Sequence, residues 1–147
     1  MKIDAKDYPA MRAWFAVVAP RIFPDVPADA DPILALDRIE AVSMANARKG
    51  LSMAIGDVVE MTDHWNPDEI EMLNKELIAA GLHSFAMIRA RFSKAIAGIV
   101  RRGRIKSESE YYLLRNAAEL DPGRAQAFFG LTEKWEDEIT GQAGMAG

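Results

Sequence analysis

Three side chains of this 147-residue chain fall where one helix face would gather them: Asp57, Glu60 and His64. At i, i+3 and i+7 they span an arc of about 60° on an α-helix. Carboxylate and imidazole are both metal ligands, and helical bundles build metal sites from such side chains. A second acidic pair, Asp37-x-x-Glu40, lies one helix earlier. The Glu-x-x-His spacing of carboxylate metal bundles is absent, because His64 follows Glu60 by four positions. A structural reading of the same residues is that His64 closes a helix C-terminus while the acids face water. Asp37, Glu40, Asp57, Glu60 and His64 are thus candidate metal ligands. Magnesium is a cofactor only if they converge; otherwise the sequence asks for none.

The second candidate is a block of positive charge. Residues 77–107 carry seven basic and no acidic side chains, whereas residues 1–76 carry eight basic and fourteen acidic. Residues 108–147 carry three basic and eight acidic. The block is Arg89, Arg91, Lys94, Arg101, Arg102, Arg104 and Lys106, with four of these inside Arg101-Arg102-Gly103-Arg104-Ile105-Lys106. Cations at a helix C-terminus complement the macrodipole by roughly 0.3–1 kcal/mol each. They can also bind an anionic partner, and Arg101, Arg102, Arg104, Lys106 and Arg89 are the candidate contact residues. Arg89 falls inside an apolar stripe, so it must reach water or a partner. Nucleic acid fits poorly. The pI is near 5.2, where binding domains often exceed 9, and only Phe92 interrupts the arginines, so no stacking platform forms.

Other chemistries are excluded by residue type. There is no cysteine, hence no disulfide scaffold, thiolate zinc site, iron–sulfur cluster or cysteine nucleophile. No Gly-x-Ser-x-Gly, Walker-type or Gly-x-Gly-x-x-Gly loop occurs. No stretch approaches 18 uncharged apolar residues, and the start Met1-Lys2-Ile3-Asp4-Ala5-Lys6-Asp7 lacks a signal-peptide h-region. The expected compartment is the cytoplasm, with no membrane partner.

The elements that must position these groups are helices. The chain holds 24 alanines against three threonines and seven valines, a composition that favours helix over strand. Apolar spacing and punctuation predict a first helix over 7–19, stopped at Pro20. Residues 20–32 hold four prolines in thirteen positions and read as an extended connector, with Ile22, Phe23 and Val26 tucked onto the core. Asp31-Pro32 opens a helix to Lys49. The pattern resumes over 51–63, either as one helix bent at Gly50 or as two in tandem. Asn66-Pro67-Asp68-Glu69 opens a helix to Ala80, ended by Gly81. A helix over 85–102 carries Phe85, Ile88, Phe92, Ile96 and Ile99 at spacings of 3, 4, 4 and 3. A capping box at Ser107-Glu108-Ser109-Glu110 opens the next, to Leu120. Asp121-Pro122 opens the last, to Ile139, burying Phe128, Leu131, Trp135 and Ile139. The fold expected is all-α: a single compact bundle of six or seven helices over 1–140, with a flexible tail at 141–147. Ser43, Ala47, Gly50 and Ala54 form a ridge of small residues for close helix packing, a homodimer seam or a hinge at Gly50.

Two successive helices bearing acid pairs resemble the all-α nucleotide pyrophosphohydrolases of the MazG type. The likeness rests on about thirty residues, with Ala54-Ile55-Gly56-Asp57-Val58-Val59 matching the second half of the pattern. It implies magnesium held by paired acids and hydrolysis of a nucleotide. Ala54 stands where that family has a carboxylate, and the alternative register, Glu60-x-x-Asp63, loses the glycine–aspartate likeness.

The reading that absorbs most of these features is a non-catalytic module of accessory, regulatory or immunity type. It binds a protein partner through the basic turn, or forms a homodimer. The alternatives are the metal-dependent pyrophosphohydrolase and nucleic-acid contact through 89–106.

Overall fold

A computed structural model describes the backbone of residues 1–146 and the side chains of residues 1–141. Among these, eight α-helices and two 3₁₀ turns occur and no strand. The chain divides into two compact units, Met1–Phe85 and Ala86–Gly147. No helix among the described residues is long and apolar enough to cross a membrane.

In the first unit, α1 (Tyr8–Ile22) runs past the expected stop at Pro20. Proline removes one backbone bond, but its φ suits a helix, and Phe23 N–H still reaches the Ala19 carbonyl at 2.8 Å. The irregular connector is therefore shorter than 20–32, and a 3₁₀ turn at Ala28–Ala30 occupies part of it. Ile22, Phe23 and Val26 are half-buried. α2 (Pro32–Val42) starts at the Asp31 cap, whose side chain accepts from Ile33 N–H at 2.8 Å.

The break before α3 (Met44–Met61) is at Ser43 and not at Gly50. Ser43 turns extended, and its hydroxyl accepts from Asn46 N–H at 3.2 Å. Serine competes for backbone donors in this way, which makes it a better helix boundary than an interior glycine. Gly50 stays helical and faces α2, where an added Cβ would meet Ile39 Cδ1 at 3.7 Å. The buried stripe of α3 is Ala47, Leu51, Ile55 and Val58. It lies one step round from the small-residue ridge and meets α1, which buries Met11, Trp14, Phe15 and Val18. Each large side chain so buried stabilises by about 1.5–3 kcal/mol. α4 (Pro67–Ala79) opens on Asn66, which accepts from Asp68 N–H, and buries Leu73 and Leu77. It ends at Gly81, whose φ of 76° needs a residue without Cβ strain.

The expected helix over 85–102 is two helices, α5 (Phe85–Arg91) and α6 (Lys94–Arg102). Ser93 caps α6, its hydroxyl accepting from Ile96 N–H at 3.2 Å. This split brings the count to eight. The apolar stripe survives it, since Phe85, Ile88, Ile96 and Ile99 are buried and only Phe92 is half-buried.

In the second unit, α6 lies against α7 (Glu108–Leu120) and α7 alongside α8 (Ala125–Ala146). Their core is Ala90, Ile96, Ile99, Ile105, Leu114, Ala117, Ala118 and Phe128. Asp121-Pro122 opens a 3₁₀ turn, Pro122–Arg124, before α8 begins. The α8 backbone continues to Ala146, beyond the expected end at Ile139. The expected flexible tail at 141–147 falls largely on residues whose side chains lie outside the described ones.

Candidate functional site

The basic turn joins α6 to α7, and its shape is set by local bonds. Gly103 ends α6 in the left-handed conformation at φ 74°, with its N–H on the Ile99 carbonyl at 2.9 Å. Ile105 is buried and pins the turn to the core. Arg102 Nε donates to the Arg104 carbonyl at 2.9 Å, folding the segment back on itself. On the far side, Ser107 accepts from Glu110 N–H at 3.2 Å. Glu110 reaches back one residue further than a standard capping box, accepting from Lys106 N–H at 2.7 Å and from Arg102 Nη2. The Lys106 N–H above all, and then the Arg102 guanidinium, hold the Glu110 carboxyl below the ordinary carboxylate range.

The cations of the segment have different employments. Arg102 pairs with Glu110, and Arg104 lies 3.7 Å from Glu138 on α8. Arg101 and Lys106 are exposed and have no ion pair among the described residues. Arg89 is half-buried on α5, apart in sequence from this turn. The five residues do not act alike: two serve the clasp between helices, two project from a rigid turn, and Arg89 belongs to another element.

Arg91, which the sequence marked only as one of seven cations, has the most enclosed carboxylate partner. Its Nε donates to Asp121 Oδ2 at 3.0 Å and its Nη2 to Oδ1 at 3.4 Å. The Asp121 side chain is 1% exposed. Asp121 was legible as a helix opener; its pairing with Arg91 thirty residues away was not.

The carboxylates of α2 carry bonds to α1. Arg12 on α1 donates from Nε to Glu40 at 2.9 Å and from Nη2 to Asp37. Tyr8 Oη donates to the same Glu40 oxygen at 2.5 Å. Asp37 and Glu40 are therefore the α2 half of a bridge to α1. Burial, and then the bond to Glu40, push the Tyr8 phenol up to about 12. Asp57 and Glu60 are exposed on α3, and His64 lies beyond the end of that helix at Met61. Among the described residues no group of three His, Asp or Glu side chains could hold a metal ion. Arg12 and Tyr8 thus occupy the acid pair of α2.

Two features of the last helices differ from the sequence expectation. Tyr111 donates to Glu136 across α7 and α8, and this bond chiefly raises the Tyr111 phenol above its usual range. Ile139, expected in the core, is 45% exposed and borders a cleft between α7 and α8. No protein family matches the chain, and no curated protein or solved structure does either.

Proposed function

We propose that this chain is a non-catalytic helical binding module of the cytoplasm that docks an acidic protein surface through the Arg101–Lys106 turn. The observation that carries the reading is the pair of exposed cations, Arg101 and Lys106, held without an ion pair on a turn that local bonds have already shaped. A preorganised turn loses little conformational entropy on docking, so its charges convert more of their attraction into affinity. The exposed Arg102 and Arg104 pairs are individually weak, each worth about 0–1 kcal/mol, and can exchange their carboxylates for a partner's. Charge complementarity of this kind acts chiefly on encounter rate and on specificity.

The test is charge reversal at the two cations of the turn whose side chains form no ion pair among the described residues. Arg101→Glu with Lys106→Glu is expected to leave the protein folded, with a small loss of melting temperature from the two lost cations at and beyond the end of α6. In cross-linking of purified protein with a cell extract, it is expected to remove a protein that the parent captures. A partner retained in full by the double variant overturns the reading. A mobility shift with short duplexes at low salt, lost steeply as salt rises, would move it to nucleic acid.

A further inference from the structure

A second cleft, distant in character from the basic turn, opens between α7 and α8. It has a volume of about 400 Å³ and is lined by Tyr111, Tyr112, Trp135, Glu108, Glu136 and Ile139, with Thr140 at its end. That volume lies within the range of small-molecule sites. The lining is of one kind: three aromatic rings and two carboxylates. Tyr111 and Trp135 are packed on the core of the unit on one side and border the cleft on the other. Tyr112 meets Tyr111 edge-on at 5.3 Å between centroids and is 51% exposed. Glu136 is anchored by the Tyr111 hydroxyl, and Glu108 has no ion pair among the described residues.

From these groups we propose that the α7–α8 cleft binds a small alkylammonium cation. Aromatic faces attract a cation through the ring quadrupole, and quaternary ammonium groups, which are weakly hydrated, gain most from such surroundings. Carboxylates at the rim add attraction and exclude anions. One of these rings already accepts a cation of this chain: the Arg115 guanidinium sits 5.7 Å from the Tyr111 centroid and donates to its hydroxyl at 3.4 Å. Arg115 engages Tyr111, and the ligand meets Tyr112 and Trp135. The neutral part of the ligand meets Ile139. The shared chemistry is the methylated ammonium group, carried either by a free small molecule or by a methylated lysine of another protein.

The experiment is calorimetric titration of the full chain with choline, with a trimethyllysine peptide, and with the uncharged carbon isostere of choline. Choline and the peptide are expected to bind in the millimolar range or tighter, and the isostere at least tenfold more weakly. The indole resonance of Trp135 should shift with the ammonium ligands. Tighter binding of the peptide assigns the ligand to a protein tail, and tighter binding of choline to a free molecule. Tyr112→Leu and Glu108→Gln change exposed residues, so both variants should fold, which their melting curves check. Each should weaken binding about fivefold, and Tyr112→Phe, which keeps the ring, should restore it. Equal affinity for the isostere, no saturable binding of either ammonium, or binding unchanged in Tyr112→Leu and Glu108→Gln overturns the proposal.

Discussion

Residue chemistry in this chain is dominated by carboxylates that carry structural bonds. Asp121 is the clearest case, since its buried side chain has a guanidinium on both oxygens. Removing one partner of such a pair leaves an uncompensated charge, which is far costlier than the pair's net worth. Arg91→Ala is expected to lower unfolding free energy by about 3 kcal/mol in urea titration; a loss within error of zero would mean that Asp121 is satisfied elsewhere. Tyr8 gives a pH signature of its own. The folded protein holds its phenol proton to about 12 against an ordinary value of 10.0. The contribution of the Tyr8–Glu40 bond is therefore complete below the ordinary phenol value and fades as pH climbs toward 12. In an absorbance titration Tyr8 should ionise at about 12, and the late absorbance change should lose one tyrosine's worth in Tyr8→Phe. A parent protein lacking the late step refutes the bond.

At the scale of elements, serine and glycine decide where helices begin and end. Ser43, Ser93 and Ser107 each accept a backbone N–H three residues on and open α3, α6 and α7. The Ser107 signal was readable because acidic residues follow it in the capping pattern. Ser43 and Ser93 were not, because apolar periodicity runs across both and looks continuous. Glycine has opposite meanings within a few residues of α6. Gly98 lies inside the helix with open space where a Cβ would go, while Gly103 has equally open space but a φ of 74°. Gly98→Ala should stabilise by about 0.5–1 kcal/mol, through helix propensity and a less flexible unfolded chain. Gly103→Ala should destabilise by about 1–2 kcal/mol through left-handed strain alone. Thermal melts of the two variants moving in the same direction would contradict this assignment.

At the scale of the whole molecule, charge is segregated along the chain, yet segregation does not make a site. Three of the seven cations of the basic block pair with acids that follow it, as Arg91–Asp121, Arg102–Glu110 and Arg104–Glu138. The acidic first unit uses Arg12 against Asp37 and Glu40, and Arg21 against Glu76. Calorimetric titration with magnesium or manganese is accordingly expected to give no saturable heat at millimolar metal. Saturable binding lost in Asp57→Asn or Glu40→Gln would reinstate a metal centre and, with it, the hydrolase reading.

Composition, helix period and end signals were enough to determine an all-helical chain, most helix positions, and the stripe that fills the core between Phe85 and Ile99. These properties are local: they depend on residues within a turn or two of each other, which is the reach of sequence spacing. Spacing also identified the Arg101–Lys106 turn. Tertiary structure alone decided which charges were left over. Glu40 lies 28 residues from Arg12 and Asp121 lies 30 from Arg91, separations at which no periodicity reports contact. The cleft between α7 and α8 was hidden for the same reason. Its aromatic rings and carboxylates come from two helices, and each helix by itself reads only as a core stripe with a solvated acidic face.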